Sequence, residues 1–311
     1  MKVRIGMAGL GTIGTGVVHL IGNNAKVIKE KTGIEFLITA AADLEIGRKA
    51  DMLGPGVKQY RDAMELAAAP EVDILVELVG GVDFPKKLVH AALDNGKHVV
   101  TANKALLARE GDGIYEKAGE RGLALGIEAS VAGGIPIIKS IHEALVGNNI
   151  QEIRGIINGT TNYILTKMHE EKMPFAVALA RAQELGFAEA DPALDVSGGD
   201  AAHKIAILAA LAFNTRVAYK DVHAEGIEQL ELQDVAWAAE LGYTVELVAV
   251  ARDRGELGIE ARVSPMLVPD TEQLAGIRNE FNAVFLRCDY LGDAMFTGRG
   301  AGAFPTASAV V

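Results

Sequence analysis

The sequence predicts an α/β chain in which a doubly wound parallel sheet is followed by a second unit of α+β type, and three observations carry that prediction. First, residues 3–9 read as a short buried strand, 12–31 as a helix after a glycine turn, and 34–42 as a second strand ending in Asp43, which together make a βαβ unit. Second, strand-like runs at 72–79, 97–101 and 123–127 alternate with helical patterns that begin near Asp83 and Asn103, the rhythm of a parallel sheet covered on both faces. Third, the rhythm changes after residue 130: helices at 135–147, 160–185 and 198–213 come first, then strand candidates at 243–252, 257–264 and 281–290. The expected domains are 1–130, completed by 298–311, and 131–297.

A chain of 311 residues that is 50% apolar is long enough for two units with sizeable cores. Its net charge of −11, without a basic stripe interleaved with aromatics, argues against nucleic acid as a partner. No uncharged apolar stretch reaches membrane-spanning length, and Met1-Lys-Val-Arg-Ile-Gly runs straight into the first strand without a leader pattern, so a soluble cytoplasmic protein is expected. The single cysteine, Cys288, lies in the apolar run Val284-Phe-Leu-Arg-Cys-Asp-Tyr and reads as a structural thiol in a reduced compartment. The late strand Tyr243-Thr-Val-Glu-Leu-Val-Ala-Val-Ala is apolar along much of its length, so both faces of its sheet are expected to be covered, by intrachain helices or by another subunit. At the end, Phe304-Pro-Thr-Ala-Ser-Ala-Val-Val reads as a helix start with Pro305 near its first turn.

Within the first βαβ unit, Gly9-Leu10-Gly11-Thr12-Ile13-Gly14 follows a strand and opens a helix. In that context the glycines allow a tight turn and a close backbone approach to a pyrophosphate, whose charge is met by open N–H groups at the helix N-terminus. The bland alternative is a turn that needs glycine only for packing. The context makes the first unit a dinucleotide-binding Rossmann domain. Asp43, at the end of the second strand, is placed to chelate the ribose hydroxyls of NAD and to repel the 2′-phosphate of NADP. It lies further from the glycines than the usual spacing of about 20 residues, which a longer helix and the Glu30-Lys31-Thr32-Gly33 turn account for. Arg48 and Lys49 are near enough in sequence to restore NADP binding, and Gly80 completes the expected cofactor set.

Between Ala182 and Lys204 the chain packs Glu189, Asp191, Asp195 and Asp200 around the glycine-rich turn Gly198-Gly199, in an apolar neighbourhood. Clustered carboxylates repel unless a cation or donated hydrogen bonds compensate, so they call for a partner: Lys204, a substrate ammonium, or both. If a helix opens at Gly198-Gly199, Asp200 and Lys204 fall four apart on one face and can pair. A lysine so oriented is a candidate general acid or base. Residue types alone leave open a solvated acidic loop that caps an ordinary helix.

The spacing Ala182-x3-Gly186-Phe-x3-Asp191-Pro-x2-Asp195-Val-x-Gly198-x-Asp200-x3-Lys204 resembles the signature of the homoserine dehydrogenase family. The resemblance extends to Gly9–Gly14, to Val100-Thr-Ala-Asn-Lys104, to Glu128-Ala-Ser-Val131-Ala-Gly133-Gly-Ile135-Pro, to Asn158-Gly-Thr-Thr-Asn-Tyr163 and to Gly298-Arg-Gly-Ala-Gly302, and so spans nearly the whole chain. It implies reversible hydride transfer between L-homoserine and L-aspartate 4-semialdehyde in threonine, methionine and isoleucine biosynthesis, in a catalytic region without the ACT domain that many members add. Lys204 then exchanges a proton with the substrate oxygen, Asp200 orients Lys204, and Lys104 holds that oxygen or the carboxylate at the cofactor–substrate junction. Glu189 and Asp195 bind the substrate ammonium or hydroxyl, and the Gly186 backbone lines the pocket. Family members commonly carry Arg or Lys immediately before the ribose-binding aspartate. Ala42 stands there in this chain, a departure that favours NAD over NADP. A homodimer or higher homo-oligomer is implied as well.

Taken without the resemblance, Lys104 reads as a surface residue of its helix, although its place after a strand puts it at the carboxyl edge of a parallel sheet, where ligands of doubly wound folds bind. The run Glu128 to Ile135 resembles the family's sodium loop, with Glu128, Val131, Gly133 and Ile135 as the expected ligands through mostly backbone oxygens. Read for itself it is a glycine-rich hinge. Asn158 to Tyr163 reads as a strand-to-helix turn, with Thr160 or Thr161 expected to cap the helix and Asn162 to face the pocket. Gly298–Gly302 resembles a loop that passes the nicotinamide. Two rival readings remain: a Rossmann dehydrogenase for a different amino-acid alcohol or aldehyde, and a cofactor-binding regulator that has lost catalysis. A thioester-forming aldehyde dehydrogenase needs a cysteine at a helix N-terminus, and Cys288 is badly placed for that.

Overall fold

A computed structural model describes residues 1–311, and the chain divides into two compact units, Met1–Gly134 with Gly302–Val311, and Ile135–Ala301. In the first unit six parallel strands, β1 (Lys2–Ala8), β2 (Glu35–Ala42), β3 (Lys58–Tyr60), β4 (Ile74–Glu77), β5 (His98–Thr101) and β6 (Leu125–Gly126), line up in the order β3-β2-β1-β4-β5-β6. This is the doubly wound order whose strand succession reverses between β1 and β4, the place where such sheets bind ligands. The connecting helices are α1 (Thr12–Thr32), α2 (Ile46–Lys49), α3 (Ala63–Ala68), α4 (Asp83–Asp94) and α5 (Lys104–Glu120).

Local chemistry explains the boundaries. α1 stops at Gly33, whose φ of 71° is the left-handed conformation that lets its N–H return to the Lys29 carbonyl, and Lys29 and Lys31 oppose the negative end of the helix dipole. On one face of the sheet Leu66, Leu75, Leu88, Leu93, Leu106 and Ile114 are fully buried. On the other, Met7, Leu10, Val17 and Ile21 pack with Ala307 and Val310 of the C-terminal helix Ala303–Val310. Gly16 of α1 permits that packing, since a Cβ there would sit 2.7 Å from the Ala303 carbonyl oxygen.

The second unit holds a mixed sheet, β7 (Ile150–Ile156), β8 (His223–Ala224), β9 (Tyr243–Asp253), β10 (Ile259–Pro269), β11 (Phe281–Cys288) and β12 (Asp293–Arg299), in the order β12-β11-β7-β9-β10-β8. All pairs are antiparallel except β8 with β10. Its helices are α6 (Ile137–Lys139), α7 (Gly159–Glu170), α8 (Phe175–Glu184), α9 (Ala193–Val196), α10 (Gly199–Ala212) and α11 (Leu232–Glu240). Val248 and Val250 of β9 join Ile156, Ala283, Phe285 and Val268 in a core closed by the turn Gln273–Gly276. Cys288 is buried at the end of β11, and burial, followed by Asp289 and Asp293, pushes its thiol up. No helix is long and apolar enough to cross a membrane.

Several expectations need correction. The single helix expected over 160–185 is two, because Lys172 takes a φ of 55° and Pro174 restarts the chain as the N-cap of α8. The helix expected over 135–147 is the short α6 followed by a π-helical stretch, Ser140–Ala144. Strand β7 was implied only as the strand that leads into the turn at Asn158, β3, β8 and β12 were not expected, and Gly298 and Arg299 belong to β12 rather than to a loop.

Candidate active site

In the first unit the glycine turn is built as its motif requires. Gly9 has a φ of 94°, and a Cβ there would meet the Leu78 carbonyl oxygen at 2.7 Å; a Cβ on Gly14 would lie 2.2 Å from the Gly9 oxygen. Around Gly11, the N-cap of α1, nothing stands within 4 Å of an added Cβ. No side chain caps α1 and no acidic residue occupies its first turn, so its N–H groups and dipole are left for an anion. Leu10 is buried, while Thr12 is exposed and Ile13 half-buried at the helix start. These features fit the pyrophosphate of a dinucleotide.

Asp43 follows β2 and accepts hydrogen bonds from the Leu10 N–H at 2.8 Å, the Glu45 N–H at 2.8 Å and Lys49 Nζ at 2.8 Å. Burial works to raise its pKa, but the bonds from Lys49, Glu45 and Leu10 outweigh it and hold the carboxyl below the usual range. Lys49 is therefore engaged by Asp43, and Arg48 pairs with Glu45. Gly80 follows β4 with a φ of 82° and open space around it. Lys104 is the first residue of α5, which Asn103 caps by accepting from the Leu106 N–H at 3.0 Å.

In the second unit Gly198, at a φ of 81°, turns the chain into α10, whose residues Gly199 to Ala209 are all buried. Asp200 and Lys204 lie on one face of it, as their spacing requires, with Nζ 2.6 Å from Oδ2. Lys204 Nζ also donates to the Ile157 carbonyl at 2.7 Å, so the ammonium is held from two sides. The residue that sequence reasoning missed is Asn158. Its Nδ2 donates to Asp200 Oδ2 at 2.8 Å and to Asp195 Oδ1 at 2.7 Å, joining two carboxylates that would otherwise repel. The Thr160 hydroxyl, which donates to the Phe187 carbonyl at 2.7 Å, lies 3.2 Å from Asp195 Oδ2.

Asn158 is also the cap of α7, accepting from the Thr161 N–H at 2.9 Å. The helix is thus capped by Asn158 rather than by the expected Thr160 or Thr161, and Asn162 donates to the Phe281 carbonyl at 2.8 Å. Of the four clustered acids the fold brings Asp195 and Asp200 together and leaves Glu189 and Asp191 exposed, with Asp191 accepting from the Ala193 N–H at 3.2 Å. Gly186 is exposed at a φ of 76°. Glu128 is buried in a 3₁₀ turn, Val131 follows it, and Ala132 and Gly133 take φ values of 55° and 54° before Ile135 opens the second unit. No group of three or more His, Cys, Asp or Glu side chains is placed to hold a metal.

Two family models match the chain: the one described as homoserine dehydrogenase, NAD binding domain, over residues 9–128, and the one described as homoserine dehydrogenase over residues 136–311. The chain belongs to the homoserine dehydrogenase family. It is 46% identical over 309 residues to the homoserine dehydrogenase of Neisseria gonorrhoeae, covering 99% of this chain and 71% of that protein. It is 43% identical over 311 residues to that of Bacillus subtilis, again covering 99% and 71%. Among solved structures, a homoserine dehydrogenase from Thiobacillus denitrificans superposes with a TM-score of 0.95 at 42% identity, covering 100% of this chain and 72% of that one. A hyperthermophilic archaeal homoserine dehydrogenase in complex with NADPH superposes with a TM-score of 0.82 at 27% identity, covering 100% and 95%. Homoserine dehydrogenases are NAD(P)-dependent oxidoreductases acting on a CH–OH group, and the matches run through both units. A dehydrogenase that shares only the glycine turn does not produce that extent.

Proposed function

We propose that this chain interconverts L-homoserine and L-aspartate 4-semialdehyde, with Lys204 as the proton carrier. The observation that carries the reading is the buried chain of bonds from Lys204 through Asp200 and Asn158 to Asp195. The Gly9–Gly14 turn would hold a dinucleotide, which when bound would supply or accept the hydride. Lys204 gives a proton to the substrate oxygen when the aldehyde is reduced and recovers it when the alcohol is oxidised, which balances the hydride. Asp200 and the Ile157 carbonyl fix the direction of the ammonium, and Asn158 keeps Asp200 from turning away. Lys104 holds the substrate oxygen or carboxylate. Asp195 and Glu189 take the substrate ammonium, and the Gly186 backbone lines the same site.

The reading is tested by nicotinamide absorbance with homoserine against a panel of other hydroxy amino acids, and by Lys204→Met. Turnover is expected to fall by roughly three orders of magnitude in the variant with little change in nucleotide affinity. Near-normal turnover would remove Lys204 from the mechanism, and a protein that binds nucleotide but oxidises no hydroxy amino acid would be a regulator instead.

On the cofactor, Asp43 favours NAD, because it is held ionised where a 2′-phosphate would lie and its neighbour Lys49 is already paired. A monovalent cation, sodium, is proposed for the backbone oxygens of Val131, Gly133 and Ile135 with Glu128; activity unchanged on exchange of sodium for a bulky ammonium ion would dismiss it. A homodimer or higher oligomer is supported by Leu267 and Phe281, large apolar side chains left exposed on β10 and β11. Light scattering at several concentrations decides that point.

A further inference from the structure

We infer that Glu77 is a positioning residue that ties the turn after β4 to the start of α5, and thereby sets Lys104; the inference rests on the dehydrogenase reading above. Glu77 and Thr101 close their strands opposite one another in register, and both are 0% exposed. Glu77 makes no ion pair. A carboxylate buried without a cation is expensive, and a chain that keeps one there uses its hydrogen bonds.

Those bonds form a ring. Glu77 Oε1 accepts from the Val79 N–H at 2.8 Å, which bends the chain into Gly80 and Gly81, with φ values of 82° and 77°. Glu77 Oε2 accepts from the Thr101 hydroxyl at 2.6 Å. The Thr101 oxygen in turn accepts from the Asn103 N–H at 3.0 Å. Asn103 Nδ2 donates to the Gly81 carbonyl at 2.8 Å, closing the circuit, while its Oδ1 caps α5.

The direction of each bond is settled by two backbone N–H groups. The Asn103 N–H takes the Thr101 oxygen as its acceptor, so the Thr101 proton is directed to Glu77 Oε2, while Oε1 accepts from the Val79 N–H. A glutamine would offer an N–H to a hydroxyl whose proton then has no acceptor. β4 adjoins β1 at the point where the strand order reverses, so the ring joins two loops on the ligand-binding edge of the sheet: the one that holds Gly80 and the one that opens with Lys104. Glu77 acts on the reaction only through those loops.

The test compares the parent with Glu77→Gln, Thr101→Val, Thr101→Ser and the Glu77→Gln/Thr101→Val double variant, by steady-state kinetics, nucleotide Kd and hydrogen exchange. Glu77→Gln and Thr101→Val are each expected to lower kcat about tenfold or more while nucleotide Kd changes less than about threefold. Thr101→Ser keeps the hydroxyl and should stay within about threefold of the parent, and the double variant should be little worse than either single. In both damaged variants exchange should quicken together at residues 78–81 and 103–106, a readout that needs no turnover. Parental kcat in both single variants, full additivity, or exchange that quickens in one segment alone would overturn the inference. If Glu77→Gln fails to fold, the contrast between Thr101→Val and Thr101→Ser decides. Coupled exchange in the two variants of a parent that does not oxidise homoserine counts against the dehydrogenase reading instead.

Discussion

Replacing Asn158 by aspartate keeps the shape of the side chain and its cap on α7, and removes only the amide that separates Asp195 from Asp200. In the parent, two charge-assisted bonds at 2.7 and 2.8 Å join it to those carboxylates. In the variant the same distances bring like charges together, at a cost of about 6 kcal/mol for each contact with an effective dielectric of about 20. Putting a proton on one carboxyl at neutral pH costs about 4 kcal/mol, three pKa units at about 1.4 each, so the folded variant takes up a proton that the unfolded chain does not hold. The sign follows: a native state that binds an extra proton comes nearest to the parent in stability at low pH and falls behind it as pH rises. The deficit should grow by about 1.4 kcal/mol for each pH unit above about pH 4 until the proton is lost. Melting midpoints of Asn158→Asp and the parent, measured from pH 5 to pH 8, should therefore diverge steadily. A difference between the two that stays constant across that range would refute the picture of Asn158 as the separator of two charges.

Three further outcomes follow from the geometry. Gly14→Ala places a Cβ 2.2 Å from the Gly9 oxygen and should abolish measurable nucleotide binding in calorimetry, whereas Gly22→Ala, where the space is open, should leave it intact. Lys49→Ala leaves Asp43 without its cation, so the ratio of kcat/KM for NAD to that for NADP should rise about tenfold; an unchanged ratio would show that the charge on Asp43 does not set the choice of nucleotide. Glu246 is buried on β9 and its carboxyl is pushed well above the usual range by desolvation, against the opposing pull of Arg278. A raised folded pKa stabilises at low pH and is lost as pH rises through it, so Glu246→Gln should gain on the parent in melting midpoint as pH increases, and equal pH slopes would exclude the effect.

The first unit was legible because its signals are local. Gly9–Gly14 sits between a strand and a helix within a few residues; in the second unit the one equally local signal was the pairing of Asp200 with Lys204 across one helical turn. Asn158 was not legible as a link, since it reaches Asp195 and Asp200 from 37 and 42 residues away, and no period in the sequence encodes that contact. The extent of β7 was hidden by its charges: Glu152 and Arg154 interrupt the apolar alternation, and only the fold shows that Arg252 and Glu272 neutralise them. β12 is an edge strand with a glycine and two charged ends, which propensity reads as a loop. The break between α7 and α8 did have a signal in Pro174, which the apolar pattern on either side overrode.

Cys288 offers a practical consequence. Alkylating reagents attack the thiolate, and this one sulfur is shielded from them by its place in the sheet and by two neighbouring acids that disfavour its ionisation. A maleimide dye added to the intact chain should label slowly, and each labelling event then reports an opening of the strand that carries the sulfur. The protein contains its own gauge of how often that sheet comes apart.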